Sequence, residues 1–294
     1  MREVAGTSPR QAYRLYDAVA QASAALVIDR YSSSFGMASR LLGGHVRVHV
    51  RNVYALVRLA DEIVDIPDPG LPREVRATML ESLHDDVRRS LSTGYSANLI
   101  VHAFVRTALA VGIEEDLIDP FFASMRMDLD VSEHSQESFD RYVYGSAEVV
   151  GLMCLRVFVT DASSDPDLVY ARLSHGAQRL GAAFQKLNFL RDLGADRDSL
   201  HRSYFPGVDA DRLTDADRDR ILDDIDADLS AAASVIPQLP HSSRRAVSAA
   251  HATFAELAAR LRTTPAAEIR HRRVRVPNSV KLRLLAASLI GARG

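Results

Sequence analysis

Between residues 51 and 65 the chain reads RNVYALVRLADEIVD. Arg51, Tyr54, Arg58, Asp61 and Asp65 are spaced 3, 4, 3 and 4 apart, so on a helix they form one continuous polar stripe. The other positions are mostly Val, Leu, Ile and Ala. An ordinary surface helix carries an apolar stripe on a polar rod, and this segment is the reverse. A chain built around it must bury a helix and still keep a line of charge inside. Carboxylates four apart on a helix repel each other, so a cation should hold them, most simply a divalent metal taking oxygen ligands. The alternative is a salt-bridged solvent face, with Arg58 beside Asp61.

A second stripe favours the metal. Residues 184–198, FQKLNFLRDLGADRD, carry Gln185, Asn188, Asp192 and Asp196 at spacings of 3, 4 and 4, again among apolar neighbours. If the two stripes face each other across a bundle, four Asp and one Asn converge in an apolar interior. A lone buried carboxylate is too costly to leave uncompensated. Hard oxygen donors suit Mg²⁺, with Mn²⁺ as the alternative. Mg²⁺ keeps several waters and is commonly completed by substrate phosphates. Arg58 and Arg191 stand beside the acids, ready to grip an anion bidentately. They can equally be structural partners of those acids, and Tyr54 and Gln185 can be satisfied core polar groups. Metal ions and a polyphosphate at the mouth of an apolar cavity are what ionisation of a prenyl diphosphate requires.

Composition agrees with a helical interior. Hydrophobic residues make up 47%, but aromatics only 6% with no Trp, so Ala, Leu and Val fill the core. The 36 basic and 38 acidic residues leave a net charge of -2, which argues against a nucleic-acid partner. The single Cys154 excludes an internal disulfide and fits a reducing cytoplasm. No signal-peptide pattern or apolar run of ~18 residues is evident. The expectation is a soluble cytoplasmic protein, at most peripheral to the inner face of the cell membrane. The segment 280–294, VKLRLLAASLIGARG, is amphipathic and serves either as packing or as an interfacial anchor.

Apolar periodicity predicts helices over 11–30, 33–42, 45–66, 73–91, 99–110, 114–127, 139–159, 168–193, 216–235, 242–262 and 279–289, with a loop over 194–207. No stretch alternates as a strand should, and no repeat or long linker divides the chain. The predicted fold is all-α, a single domain over 1–294. Residues 143–159 and 182–193 are apolar nearly all round and should be central. Glu81 and His84 have the spacing of a di-iron helix motif, without the second copy such a bundle needs.

Several segments, in order, resemble the head-to-head prenyl synthases, the squalene/phytoene synthase family. YSSSFGMASRLL supplies Ser32, Ser34 and Phe35 of a Ser-x-Ser-Phe segment. VYALVRLADEIVD resembles the first Asp-x-x-x-Asp motif, with Tyr54 and Arg58 upstream. MRMDLD at 125–130, YVYGSAEVVGLM at 142–153, FQKLNFLRDLGADRD, RSYFP at 202–206 and RRVRVP around Arg273 are similar to the later motifs.

The resemblance implies an isoprenoid-synthase-like helical bundle around a central apolar cavity. It implies metal at Asp61, Asp65, Asn188, Asp192 and Asp196, with Arg58 and Tyr54 acting alongside. Substrate contacts are implied at Ser32, Ser34, Phe35, Arg58, Tyr142, Gln185, Arg191, Tyr204 and Arg273. GSAEVVGLM resembles bacterial phytoene synthases in particular. That implies condensation of two geranylgeranyl diphosphates through a cyclopropyl diphosphate to phytoene, a carotenoid precursor, with no NADPH. A farnesyl diphosphate enzyme making squalene, dehydrosqualene or presqualene diphosphate is the alternative. The intact acidic motifs argue against a non-enzymatic assembly factor of the same superfamily. Tyr31, Glu148, Val149 and Phe254 depart from the family pattern.

Overall fold

The computed structural model describes residues 9–66, 70–160, 164–200 and 202–290. Among them every regular element is helical, apart from one isolated bridge between Glu133 and Ser203. In order these are α1 (Pro9–Tyr31), α2 (Ser33–Ser39), α3 (Gly44–Val64), α4 (Arg73–Thr93), α5 (Leu99–Val111), α6 (Glu115–Asp130) and α7 (Gln136–Val143). After a π turn (Tyr144–Glu148) come α8 (Val149–Thr160), α9 (Pro166–Leu200), α10 (Asp215–Val235), α11 (His241–Thr263), α12 (Ala266–Ile269) and α13 (Asn278–Ile290).

Local chemistry sets several boundaries. Ser32 caps α2 by accepting from the Phe35 amide, and Asn98 caps α5 by accepting from the amides of Ile100 and Val101. Thr214 and Asp217 form a reciprocal capping box on α10. Gly94 and Gly112 end α4 and α5 at φ of 70° and 74°, a backbone region costly for other residues.

Two large apolar clusters flank the site. One joins α3, α4, α5, α6 and α8, and the other joins α7, α9, α10 and α11 with Tyr204, Phe205 and Val208. The rod Gln136–Thr160 is long and apolar enough to cross a membrane, contrary to the sequence expectation, but 67% of its most apolar window is buried inside the protein. It is a core helix, as its all-round apolarity predicted.

One boundary differs instructively. Instead of a loop starting at Gly194, α9 runs on to Leu200. Gly194 is there for close approach, not as a helix stop. A Cβ at that position would lie 1.8 Å from the Arg270 carbonyl oxygen. The central rod is seated the same way, since Cβ atoms on Gly151 and Gly181 would fall 2.5 Å from Ala177 O and 2.4 Å from Ala147 O. Backbone therefore packs on backbone where the π turn and α8 cross α9. Pro67 and Pro69, which in the sequence stop the predicted helix over 45–66, lie outside the described residues.

Candidate active site

Between the clusters lies a cavity of about 510 Å³, lined from α1, α2, α3, the π turn, α8, α9 and α11. Most of its wall is apolar. Phe35, Phe184 and Phe254 form a ring cluster, with Phe184 and Phe254 stacked at 3.8 Å between centroids. Phe254 thus fills its place as an aromatic wall without a hydroxyl. Cys154 also lines the wall, where burial pushes its thiol up to about 12, so it stays protonated.

The polar end is built by the two stripes. Tyr54, Arg58 and Asp61 of α3 line the cavity, and so do Gln185, Asn188 and Arg191 of α9. Ser32, Phe35 and Arg273 complete the predicted residues on the wall. The side chain of Ser34 lies outside the described ones. Gln185 donates weakly to Ser146 of the π turn at 3.4 Å. Arg58 pairs with Glu62, one turn on along α3, and its guanidinium lies 4.5 Å from the centre of the Tyr31 ring. Tyr31 therefore stacks on the arginine.

Asp65 ends α3, and Asp192 and Asp196 follow Arg191 on α9. Burial, followed by the charge of Asp65, pushes the Asp61 carboxyl up to about 8. Burial, then Asp192 and Asp65, pushes Asp196 up to about 7. Asp65 thus acts on a neighbour of its own helix and on one of the facing helix, so the two stripes meet. Asp192 is gripped from two sides. Arg191 reaches it at 3.0 and 2.5 Å, and Arg273 at 2.7 and 3.1 Å.

Tyr142 and Tyr204 do not reach the cavity wall. Both are buried and converge on Asp128, which is 5% exposed. Tyr142 donates to both Asp128 oxygens at 2.9 Å, and the Tyr204 hydroxyl lies 3.4 Å away. Arg202 Nη1 stands 3.3 Å from Asp128 and 2.8 Å from Asp65, while Nη2 donates to the carbonyls of Val64 and Asp128. Burial pushes Asp128 up to about 7 against the pull of Arg202. These two tyrosines are supports beneath Asp65. Sequence reasoning missed Asp128 and Arg202; the only signals were the acid inside MRMDLD and the arginine opening RSYFP, two segments the resemblance had singled out.

A further ion network braces the back of the site. Glu148, the π-turn residue that departs from the family pattern, accepts from Arg179 at 2.6 Å. Arg179 also donates to Asp228 at 3.1 Å, and Lys186 holds Asp228 at 2.8 Å and Asp224 at 2.5 Å.

Among the described residues no three His, Cys, Asp or Glu side chains enclose an ion by themselves. That is compatible with Mg²⁺, which takes one or two carboxylates and leaves its remaining positions to water and phosphate. The donor chemistry fits. Among the described residues neither Asp61 nor Asp196 has an ion-pair partner, and both are raised by burial first and by neighbouring carboxylates second. Divalent ions at Asp61 and Asp65 on one side, and Asn188, Asp192 and Asp196 on the other, would offset both effects.

The family model for squalene/phytoene synthase matches residues 28–279. A phytoene synthase of Mycobacterium tuberculosis is 27% identical over 306 residues, covering 96% of this chain and 92% of its own length. A presqualene diphosphate synthase of Rhodopseudomonas palustris is 29% identical over 176 residues, 59% of this chain and 58% of that one. The chain spans between 36% and 58% of the length of the first four curated relatives it matches. Among solved structures, a dehydrosqualene synthase bound to a ligand superposes with a TM-score of 0.76 at 20% identity, covering 97% of this chain and 99% of that chain. The helical fold is shared with that protein.

Proposed function

The chain belongs to the squalene/phytoene synthase family, whose members are prenyl diphosphate transferases, and from that premise we propose that it condenses two geranylgeranyl diphosphates head to head to phytoene. The observation that carries the reading is the meeting of two oxygen-bearing stripes at the polar end of one apolar cavity. The C20 substrate is supported by the mycobacterial phytoene synthase, which matches nearly end to end.

Divalent ions at the five oxygen-bearing residues would neutralise a departing diphosphate. Arg58, Arg191 and Arg273 line the same end and can donate to its oxygens. The C–O bond of the first substrate breaks, and its electrons leave with the diphosphate. The allylic cation is captured by the double bond of the second substrate, and loss of a proton closes a cyclopropyl diphosphate. Departure of the second diphosphate, rearrangement and a second proton loss give the conjugated triene. No electrons enter from outside, so NADPH is not expected. The apolar wall excludes water, and the ring faces of Phe35, Phe184 and Phe254 favour a nearby cation over a neutral chain.

The second reading, a farnesyl diphosphate enzyme, is favoured by the presqualene diphosphate synthase relative. A paired assay decides. With Mg²⁺ and each substrate in turn, extraction should yield a C40 hydrocarbon with triene absorbance from geranylgeranyl diphosphate. A C30 product, or presqualene diphosphate, from farnesyl diphosphate alone would replace the first reading with the second.

A further inference from the structure

The cavity wall contains an irregular turn, Tyr144–Glu148, whose hydrogen bonds reach five residues, as from the Val149 amide to the Tyr144 carbonyl. That geometry is rare in itself and frequent at functional sites. Both ends of this turn are clamped from outside. At Gly145 the backbone lies against α6, where a Cβ would fall 2.1 Å from the Pro120 carbonyl oxygen. At Glu148 a buried carboxylate accepts from Arg179 of α9 at 2.6 Å. Between the clamps stand Ser146 and Ala147, and these are the members of the turn that line the cavity.

The anchor at Glu148 runs deep. The Arg179 fork gives its second nitrogen to Asp228 of α10, whose other oxygen is held by Lys186, two turns further along α9. Glu148, Asp228 and Lys186 are all buried. Apolar replacement of such a buried ionic cluster often leaves stability unchanged or raised, so stability alone does not account for it. Fixed geometry does, because a guanidinium fork sets distance and angle together where an apolar contact sets neither.

What the cluster fixes lies at the neck of the cavity. Gln185 donates to Ser146 across the wall at 3.4 Å. Gln185 precedes Asn188 by three residues, about 4.5 Å along the helix axis, and its neighbour Phe184 belongs to the ring cluster. The Gln185–Ser146 pair therefore stands between the end where the C–O bond breaks and the chamber where the cation must meet a double bond before water.

We propose that Glu148 and Arg179 are positioning residues: by stationing the π turn they hold Ser146 against Gln185, keep water out of the neck, and so set the fraction of turnovers that end in a carbon–carbon bond. The proposal rests on the ionisation step of the proposed function, with either chain length. Where the neck opens, water adds to the allylic cation and gives a proton to solvent. The product is then a prenyl alcohol, the diphosphate having already left with the electrons of the C–O bond.

The ratio of prenyl alcohol to condensed product tests it, measured by mass spectrometry with Mg²⁺ and each substrate in water labelled with heavy oxygen. Only alcohol carrying the label is counted, since hydrolysis at phosphorus keeps the substrate's own oxygen. Glu148→Ala leaves Arg179 bonded to Asp228 and the cluster with two cations against two carboxylates, so no charge is stranded. It should raise the ratio about tenfold. Glu148→Gln, which can still accept from Arg179, should raise it less. Gly112→Ala, strained at a φ of 74° and away from the cavity wall, should lower the melting temperature and leave the ratio alone. A wild-type ratio in Glu148→Ala, or an equal rise in Gly112→Ala, overturns the proposal while the reaction stands. A wild type that turns over neither geranylgeranyl nor farnesyl diphosphate overturns the proposed function, and this proposal with it.

Discussion

Arg202 Nη1 lies 2.8 Å from Asp65 Oδ1, joining the end of the first acidic stripe to a residue 137 positions later in the chain. The same guanidinium holds buried Asp128, so one arginine positions a candidate metal ligand from below. Arg202→Gln should leave Asp128 unpaired and cost about 3–5 kcal/mol of stability. Thermal or urea melts check the loss. Arg202→Lys should recover part of the stability but less of the activity, because one ammonium cannot replace the fork that reaches Asp65, Asp128 and two carbonyls.

Asp61→Asn and Asp192→Asn should each lower turnover by about 10²–10³-fold with the fold intact. Steady-state rates with saturating Mg²⁺, alongside circular dichroism, make the comparison. Wild-type rates in either variant would remove that residue from the metal set.

Asp61 also gives a pH signature. Its folded value of about 8 is above the ordinary carboxylate range, so its contribution to stability is fully present only below about pH 4 and is lost progressively as pH rises to about 8. In EDTA near pH 9, Asp61→Asn should therefore melt higher than wild type by about 2 °C. Toward about pH 4 the gap should close.

His84 should act in the opposite sense. Arg126 can only donate, so His84 Nδ1 accepts from it at 2.9 Å and Nε2–H donates to Asp119 at 2.9 Å. Burial against Phe122 holds this neutral ring below the usual histidine value, and burial does the same to His134. A depressed folded value gives stability that is present above about pH 6.5 and lost as pH falls through the folded value. The buried carboxylates act with the opposite sign over the same range, so the histidine contribution is read as a difference between melts: relative to wild type, His84→Gln should lose less stability as pH falls from about 7.5 to 5.

Gly194→Ala places a methyl against the Arg270 carbonyl. It should cost about 1–3 kcal/mol and raise KM for the diphosphate more than it lowers kcat, because the displaced segment carries Arg273. Equal effects on both parameters would make Gly194 a purely structural contact.

The legible part of the chain was whatever a single helix encodes. Arg58, Asp61, Asn188 and Arg191 were readable because a 3–4 spacing on an apolar rod fixes one face, and the structure turns that face to the cavity. Gly194 was misread because a glycine after an apolar run looks the same as a stop or as a close contact, and only the position of Arg270 distinguishes them. Tyr142 and Tyr204, expected to touch substrate, were misplaced for a related reason. Their partner Asp128 is 14 and 76 positions away, and no local pattern says that a tyrosine hydroxyl will turn inward. Glu81 and His84 looked accidental by spacing, whereas His84 is buried in a network with Arg126, Asp119 and Glu81.

Anomalous diffraction from crystals grown with Mn²⁺ and a non-ionisable thio-diphosphate analogue tests the central claim most directly. Peaks should stand between the carboxylates of Asp61 and Asp65 and those of Asp192 and Asp196, each bridged to the analogue's phosphates. An analogue bound at full occupancy with no Mn²⁺ near either stripe would contradict it.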